Sequence, residues 1–166
     1  MAWLAWLWLQ PQVERAIYAV RLSAWPAPAA LPVPVTGVAS RALRDTWHGA
    51  RAGGRKHEGI DIFAPRGREV VSATEGIVTR VGTNDLGGKV VWVMGPGRQL
   101  HYYAHLDDYA AVRAGDIIAA GMVLGYVGTS GNARGTPPHL HYGIYTAGGA
   151  INPYPLLRPS VPAGAH

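Results

Sequence analysis

Apolar and polar residues alternate along much of the chain, as at Ile60 and Ile62, which are separated by Asp61. A period of two is typical of a β-strand with one buried face. Further short runs are rich in β-branched residues, and glycine-containing turns such as Gly87-Gly88 separate them. This pattern predicts an all-β domain, an antiparallel sandwich or partly open barrel, with a short helical or apolar segment at the N-terminus. The predicted strands include residues 70–73, 76–81, 89–94 and 100–106, with shorter runs between 117 and 127.

The predicted strand at 100–106 carries two histidines. Strict alternation places His101, Tyr103 and His105 on one face, with residues 100, 102 and 104 on the other. His101 could therefore line the same cleft as His105, but we favour a position beside the site with its hydrogen bonds satisfied by neighbours.

The first 35 residues differ in kind from the rest. Residues 1–9 are rich in Trp and Leu but much shorter than the ~20 residues that a spanning helix needs. No positively charged segment precedes them, as it would in a signal peptide. Three interpretations remain: a truncated export or anchor segment, which we favour, a Trp-rich segment in contact with a membrane surface, or a helix packed on the domain. Residues 24–35 are Pro/Ala-rich and predict an extended linker, with a weak cleavage site at Ala27-Pro28-Ala29. The resulting organisation is an apolar segment at 1–23, a linker at 24–35, a β-rich domain at 36–158 and a tail at 159–166.

Composition narrows the chemistry. A chain of 166 residues is long enough for one domain with a modest core. It has no cysteine, so a transition-metal site must use histidine and carboxylate, which suits zinc. The net charge of +5 is compatible with anionic wall polymers or a membrane surface. The arginines are scattered and no basic run alternates with aromatic residues, which argues against nucleic-acid binding.

Two histidine-containing segments suggest a zinc site. His57 and Asp61 are four residues apart, and a fully extended chain would separate their Cα atoms by about 13 Å. Zinc bonds are only about 2.0–2.2 Å long, so we expect a bend near Gly59, where glycine tolerates unusual dihedral angles. His139 and His141 have the i, i+2 spacing that points two side chains to one face of a strand, with Cα atoms about 6.6 Å apart.

These segments, together with others, resemble the lysostaphin/LytM-type zinc metallopeptidases, which cleave peptide crosslinks in bacterial peptidoglycan. The resemblance spans residues 34 to 155. It implies one Zn²⁺ per chain bound by His57, Asp61 and His141, catalytic roles for His105 and His139, a peptidoglycan peptide as substrate, and a location in the cell envelope. The family often has Phe-Glu after its second paired histidine, where this chain has Tyr142-Gly143. The matching segments are His57-Glu58-Gly59-Ile60-Asp61, Tyr103-Ala104-His105-Leu106, Gly115-Asp116, Gly121, Leu124-Gly125, His139-Leu140-His141 and Asn152-Pro153.

The implied reaction is hydrolysis by a zinc-activated water. One of His105 and His139 is expected to transfer a proton and the other to hydrogen-bond the developing oxyanion, and the sequence leaves open which does which. Two alternatives remain. A non-catalytic member of the family would act as an activator or wall-binding module. A lipoyl- or biotinyl-type carrier would need a modified lysine, and neither Lys56 nor Lys89 has the expected flanking residues.

The surroundings of the site are less well determined by sequence. We expect His48 to lie outside the ligand set and Arg51 to be solvated or to orient an acidic substrate group. Metal-bound histidines usually donate their second N–H to a carbonyl or carboxylate, for which Glu58 and Glu75 are candidates. The polar loop at 129–138 is expected to form a cleft wall.

Overall fold

The computed structural model describes residues 2–159, with side chains from residue 10 onward; the Trp- and Leu-rich side chains at the start and the tail beyond residue 159 lie outside the described residues. Nine strands in this range form one antiparallel sheet, so the all-β prediction is confirmed. Two α-helices flank them, α1 (Ala2–Ala24) and α2 (Tyr154–Leu157). The strands are β1 (Ile60–Phe63), β2 (Glu69–Val71), β3 (Gly76–Asn84), β4 (Gly88–Met94), β5 (Leu100–Tyr109), β6 (Ile117–Ile118), β7 (Val123–Val127), β8 (His139–Thr146) and β9 (Gly149–Ile151).

The order β1-β8-β5-β4-β3-β6 places β8 between β1 and β5. β7 also pairs with β5 and carries β2 on its other edge, while β9 extends β8. The alternation along β8 buries Leu140, Tyr142 and Ile144 in the main core. Its other face presents His139 and His141 to an open groove. The central strands therefore divide the molecule into a packed side and a groove side.

A bulge in β5 reverses this alternation at one residue. Tyr103 pairs with Val91 and Leu106 with Lys89, so β5 has one residue more than β4 in this interval. His105 lies in this bulge and has a left-handed φ of 65°. Its backbone N–H donates to the carbonyl of Gly87 at 2.7 Å. His105 therefore points into the groove, on the opposite side from Tyr103.

Helix α1 docks on the domain through its C-terminal half. Leu22 is fully buried, and the Tyr18 hydroxyl lies 3.5 Å from Glu75 Oε2. The opposite face carries Val13, Ile17 and Val20, which are 50%, 53% and 71% exposed. This docking involves only the end of α1; the side chains of residues 1–9 lie outside the described residues, and the three interpretations of that segment stay predictions. Among the described residues, no helix is both long enough and apolar enough to span a membrane.

The chain after α1 also packs on the domain. Leu31 and Val35 are buried, and the Leu31 N–H donates to the Leu156 carbonyl at 2.9 Å. Val35 forms a β-bridge with Val70. The second half of the Pro/Ala-rich segment is thus held along the sheet rather than free in solvent, while the boundary at residue 36 stays a prediction.

Candidate metal centre

A short hairpin, residues 45–57, brings His57, the first candidate ligand, to the sheet. Backbone bonds of 2.9 Å join His48 N to His57 O, His57 N to Gly49 O, and Arg51 N to Arg55 O. His57 lies at the end of this hairpin, and its side chain is buried. Its Nδ1 lies 2.7 Å from the carbonyl oxygen of Thr46. A carbonyl only accepts, so Nδ1 carries the proton and Nε2 keeps its lone pair. The expected carbonyl partner for His57 is confirmed, and Glu58 and Glu75 are not that partner.

The chain then bends at Gly59 before β1 begins. The expected bend is present, but the φ of Gly59 is not left-handed, so strained dihedral angles are not its reason. A Cβ at this position would lie 2.6 Å from the Tyr142 carbonyl oxygen and 2.7 Å from Cε1 of His141. Glycine is therefore required at position 59, because the His141 ring packs directly against the backbone there.

Strand pairing brings the remaining two candidate ligands together. Asp61 on β1 is directly opposite His141 on β8. His57 Nε2 lies 2.7 Å from His141 Nδ1 and 3.1 Å from Asp61 Oδ1, and the latter two atoms are 3.4 Å apart. Asp61 Oδ1 is buried and has no hydrogen-bond partner among the described residues. An orphaned carboxylate oxygen facing two imidazole nitrogens fits a divalent ion well, because a bound metal would satisfy all three atoms.

The charges in this cluster agree with that donor set. Burial alone would raise the pKa of Asp61, but the neighbouring imidazoles of His141 and His57 outweigh it and hold the pKa well below its usual range. Arg51 also donates to Asp61 Oδ2. Burial lowers the pKa of His141, against the attraction of Asp61. An ionised carboxylate and neutral imidazoles are the protonation states that metal binding needs.

Two further imidazoles stand beside the cluster. His139 Nδ1 lies 2.8 Å from the Pro137 carbonyl and His105 Nδ1 lies 2.9 Å from the Ser130 carbonyl, so both present an unprotonated Nε2. Their ring centroids are 5.0 Å apart, and His139 Nε2 is 3.8 Å from Asp61 Oδ1. Burial, followed by the charges of His141 and His139, lowers the pKa of His105 to about 4. His105 is therefore neutral at physiological pH and able to accept a proton.

All five candidate residues line one groove with a volume of about 930 Å³. The aromatic rings of Trp92, Tyr102 and Tyr145 pack together on one side, with Trp92 and Tyr102 centroids 4.3 Å apart. Phe63 lies beside His139 at 5.2 Å between ring centroids. The predicted cleft wall is confirmed, since the loop contributes Asn132, Ala133, Thr136 and Pro137 to this lining.

The structure specifies the surroundings of three residues near the site. His101 does not line the cleft: it is fully buried in the core, with Nδ1 2.6 Å from the Tyr142 hydroxyl, because the bulge places His105 on the other face. Arg51 contacts Asp61, while its side chain remains 37% exposed to solvent. Thr46, which touches two candidate ligands, was missed, since nothing in its local sequence distinguishes it from other loop threonines. His48 stacks on Trp47 and stays outside the ligand set, as expected.

The chain is similar to several peptidases of known activity. It is 40% identical to the L-Ala–D-Glu endopeptidase of Bacillus subtilis (strain 168) in an alignment of 141 positions that covers 78% of this chain and 43% of that protein. Lysostaphin of Staphylococcus simulans is 30% identical in an alignment of 111 positions that covers 63% of this chain and 22% of that protein. The chain thus spans less than half the length of these curated relatives.

Solved structures of peptidases are also similar to this chain. A putative glycyl-glycine endopeptidase LytM from Ruminococcus gnavus superposes with a TM-score of 0.63 at 36% identity, covering 87% of this chain and 63% of that one. The catalytic domain of lysostaphin from Staphylococcus simulans superposes with a TM-score of 0.59 at 26% identity, covering 84% and 97%. The model of peptidase family M23 matches residues 55–153, a range that contains all five candidate site residues. The chain belongs to peptidase family M23.

Proposed function

We propose that this protein is a zinc-dependent endopeptidase that hydrolyses peptide bonds in the crosslinks or stem peptides of peptidoglycan. The observation that carries the proposal is the meeting of His57 Nε2, His141 Nδ1 and Asp61 Oδ1 within 3.4 Å of one another at the floor of a groove. The substrate class rests on the relatives, which include an L-Ala–D-Glu endopeptidase and lysostaphin.

Zinc is the metal that this donor set suits best. Two imidazole nitrogens and one carboxylate oxygen are ligands that zinc prefers, and three protein ligands leave a fourth position for water or substrate. Zinc in such a site supplies Lewis acidity and lowers the pKa of a bound water towards about 7. No thiolate is available to compete, because the chain has no cysteine.

His105 and His139 would then handle protons beside the metal. Each imidazole is fixed by a carbonyl at Nδ1, so each offers Nε2 to the groove in one orientation. A neutral imidazole accepts a proton from the attacking water, and once protonated it donates a hydrogen bond to the developing oxyanion or a proton to the leaving amine.

The groove has two walls that a bound peptide would contact. Residues of the 132–137 loop contribute to its lining, and so does the Trp92, Tyr102 and Tyr145 cluster. Aromatic rings offer apolar contact area with polar edges to a bound chain. The hydrolysed bond would lie across the centre, between His105 and His139.

Digestion of purified peptidoglycan tests the proposal. The intact chain is incubated with peptidoglycan after treatment with a chelator, then again after Zn²⁺ is restored, and the released fragments are identified by mass. We expect new amino termini only in the zinc-loaded sample, and none with a His141→Ala variant. A His48→Ala variant is the matched control, because His48 lies nearby but outside the cluster. Zinc-loaded protein that releases no fragments, yet stimulates another wall hydrolase, would favour the non-catalytic alternative.

We also propose a cell-envelope location, with α1 in contact with a membrane surface. The exposed stripe of Val13, Ile17 and Val20 lies opposite the face that docks on the domain, and interfacial helices present such a stripe to lipid. Co-sedimentation with phosphatidylglycerol-containing vesicles tests the contact. Ile17→Ser combined with Val20→Ser should weaken it. Changing Ile117 and Met122 to serine is the control, since these side chains are similarly exposed elsewhere. Equal binding by both double variants would contradict a contact through α1.

A further inference from the structure

Thr46 touches both ends of the segment that supplies two of the candidate ligands. Its carbonyl oxygen lies 2.7 Å from His57 Nδ1, and its hydroxyl oxygen accepts the Asp61 backbone N–H at 2.9 Å. The bend at Gly59 lies between these two contacts. One residue outside the ligand set therefore fixes the tautomer of one ligand and the backbone position of the other.

We propose that Thr46 is a positioning residue that presets His57 and Asp61 for the metal, and that Asp45 and Asn152 hold Thr46 in place. The inference rests on the proposed zinc site. Residues that hold a metal-bound histidine or carboxylate fix its orientation and raise its basicity, and their loss typically weakens metal affinity by about 10–100-fold.

Thr46 is held in place by a tether, which is the side-chain hydrogen bond from Asn152 to Asp45, the residue before Thr46. Asn152 Nδ2 donates to Asp45 Oδ2 at 3.3 Å, and Asn152 Oδ1 accepts the Tyr154 N–H at 2.9 Å. Asp45 Oδ1 also accepts the Trp47 N–H at 3.0 Å, which caps the turn that contains Thr46. This arrangement gives a role to Asn152, whose side chain lies outside the groove lining: it anchors the loop that carries Thr46.

Arg51 has a separate effect on the same carboxylate. Its guanidinium donates to Asp61 Oδ2, which leaves Oδ1 to face the imidazoles. Removing Arg51 would change the charge of the site as well as its geometry. Thr46 is therefore the better residue to test, since its replacement leaves the net charge unchanged.

The experiment measures metal binding directly. Thr46→Val replaces the hydroxyl by a methyl group of similar size, and Thr46→Ser restores the hydroxyl. Zinc affinity of the intact chain is measured by competition with a chromophoric chelator, and Co²⁺ is used as a spectroscopic probe of coordination. We expect Thr46→Val to lose about 10-fold in zinc affinity and to alter the Co²⁺ visible spectrum. Thr46→Ser should stay within about twofold of the wild type and keep its spectrum.

The outcomes separate the two proposals. If the wild type binds no zinc, the proposed function fails. If the wild type binds zinc and Thr46→Val binds it equally well with an unchanged Co²⁺ spectrum, the positioning role is overturned while the zinc site stands. Should Thr46→Val fail to fold, Asn152→Ala decides, because it cuts the tether without touching a ligand: lower zinc affinity supports the role and unchanged affinity overturns it.

Discussion

The buried His101 should make the fold sensitive to acid independently of the metal. Its side chain is fully buried, and Nε2 has no hydrogen-bond partner among the described residues. Burial lowers the pKa of His101 from 6.5 to about 4. The pKa of His101 is lower in the folded protein than in the unfolded chain. The contribution of His101 to the free energy of unfolding is therefore complete above pH 6.5 and is lost as the pH falls, because the unfolded chain binds the proton first. At about 1.4 kcal/mol per pKa unit, the complete loss is about 3 kcal/mol, of which roughly 2 kcal/mol is gone by pH 5.

Urea unfolding of the metal-free protein at pH 8 and pH 5 measures this loss. Replacing His101 by Leu together with Tyr142→Phe removes both partners of the buried hydrogen bond, which avoids leaving one polar group alone. Between pH 8 and pH 5, the free energy of unfolding of the double variant should fall by about 2 kcal/mol less than that of the wild type. Tyr142→Phe alone is the control: it keeps the buried imidazole and should keep the full pH dependence. Equal pH dependence in the wild type and the double variant would refute the reasoning.

The site yields three further predictions. His141→Ala should retain almost no zinc after dialysis, whereas His139→Ala should keep it and lose turnover; elemental analysis showing near-zero zinc in the His139 variant would contradict this division. Gly59→Ala should disrupt metal binding, because its Cβ would meet His141 Cε1 at 2.7 Å, while Gly148→Ala, with no heavy atom closer than 3.6 Å, should bind zinc normally in the same titration. Adding zinc at 100 times its dissociation constant should stabilise the chelator-treated protein by about 2.7 kcal/mol, seen as a higher midpoint in thermal unfolding, and an unchanged midpoint would argue against a metal site.

Much of the fold was readable from the sequence because it depends on local patterns. The alternation around Ile60 and Ile62 places Asp61 on the groove side of a strand, and the i, i+2 spacing of His139 and His141 places both on one face. These conclusions need only the period of a β-strand. The metal cluster then follows once the two strands pair in register.

The features that sequence could not supply depend on tertiary contacts. His105 adopts a left-handed φ that non-glycine residues seldom adopt, so regular alternation assigned it to the face of His101. The need for glycine at position 59 arises from the neighbouring strand rather than from its own dihedral angles. Thr46 bonds to residues 11 and 15 positions further along the chain, and such contacts have no local signature.

The pairing of β1 with β8 also has a consequence for biosynthesis. His57 and His141 meet although 84 positions separate them, and strand β8 must insert between β1 and β5 for that meeting. A nascent polypeptide that has not yet released β8 therefore holds His57 and Asp61 but lacks His141, the third candidate ligand. The candidate metal centre is therefore complete only after β8 has joined the sheet, and a polypeptide without β8 cannot offer all three ligands to one ion.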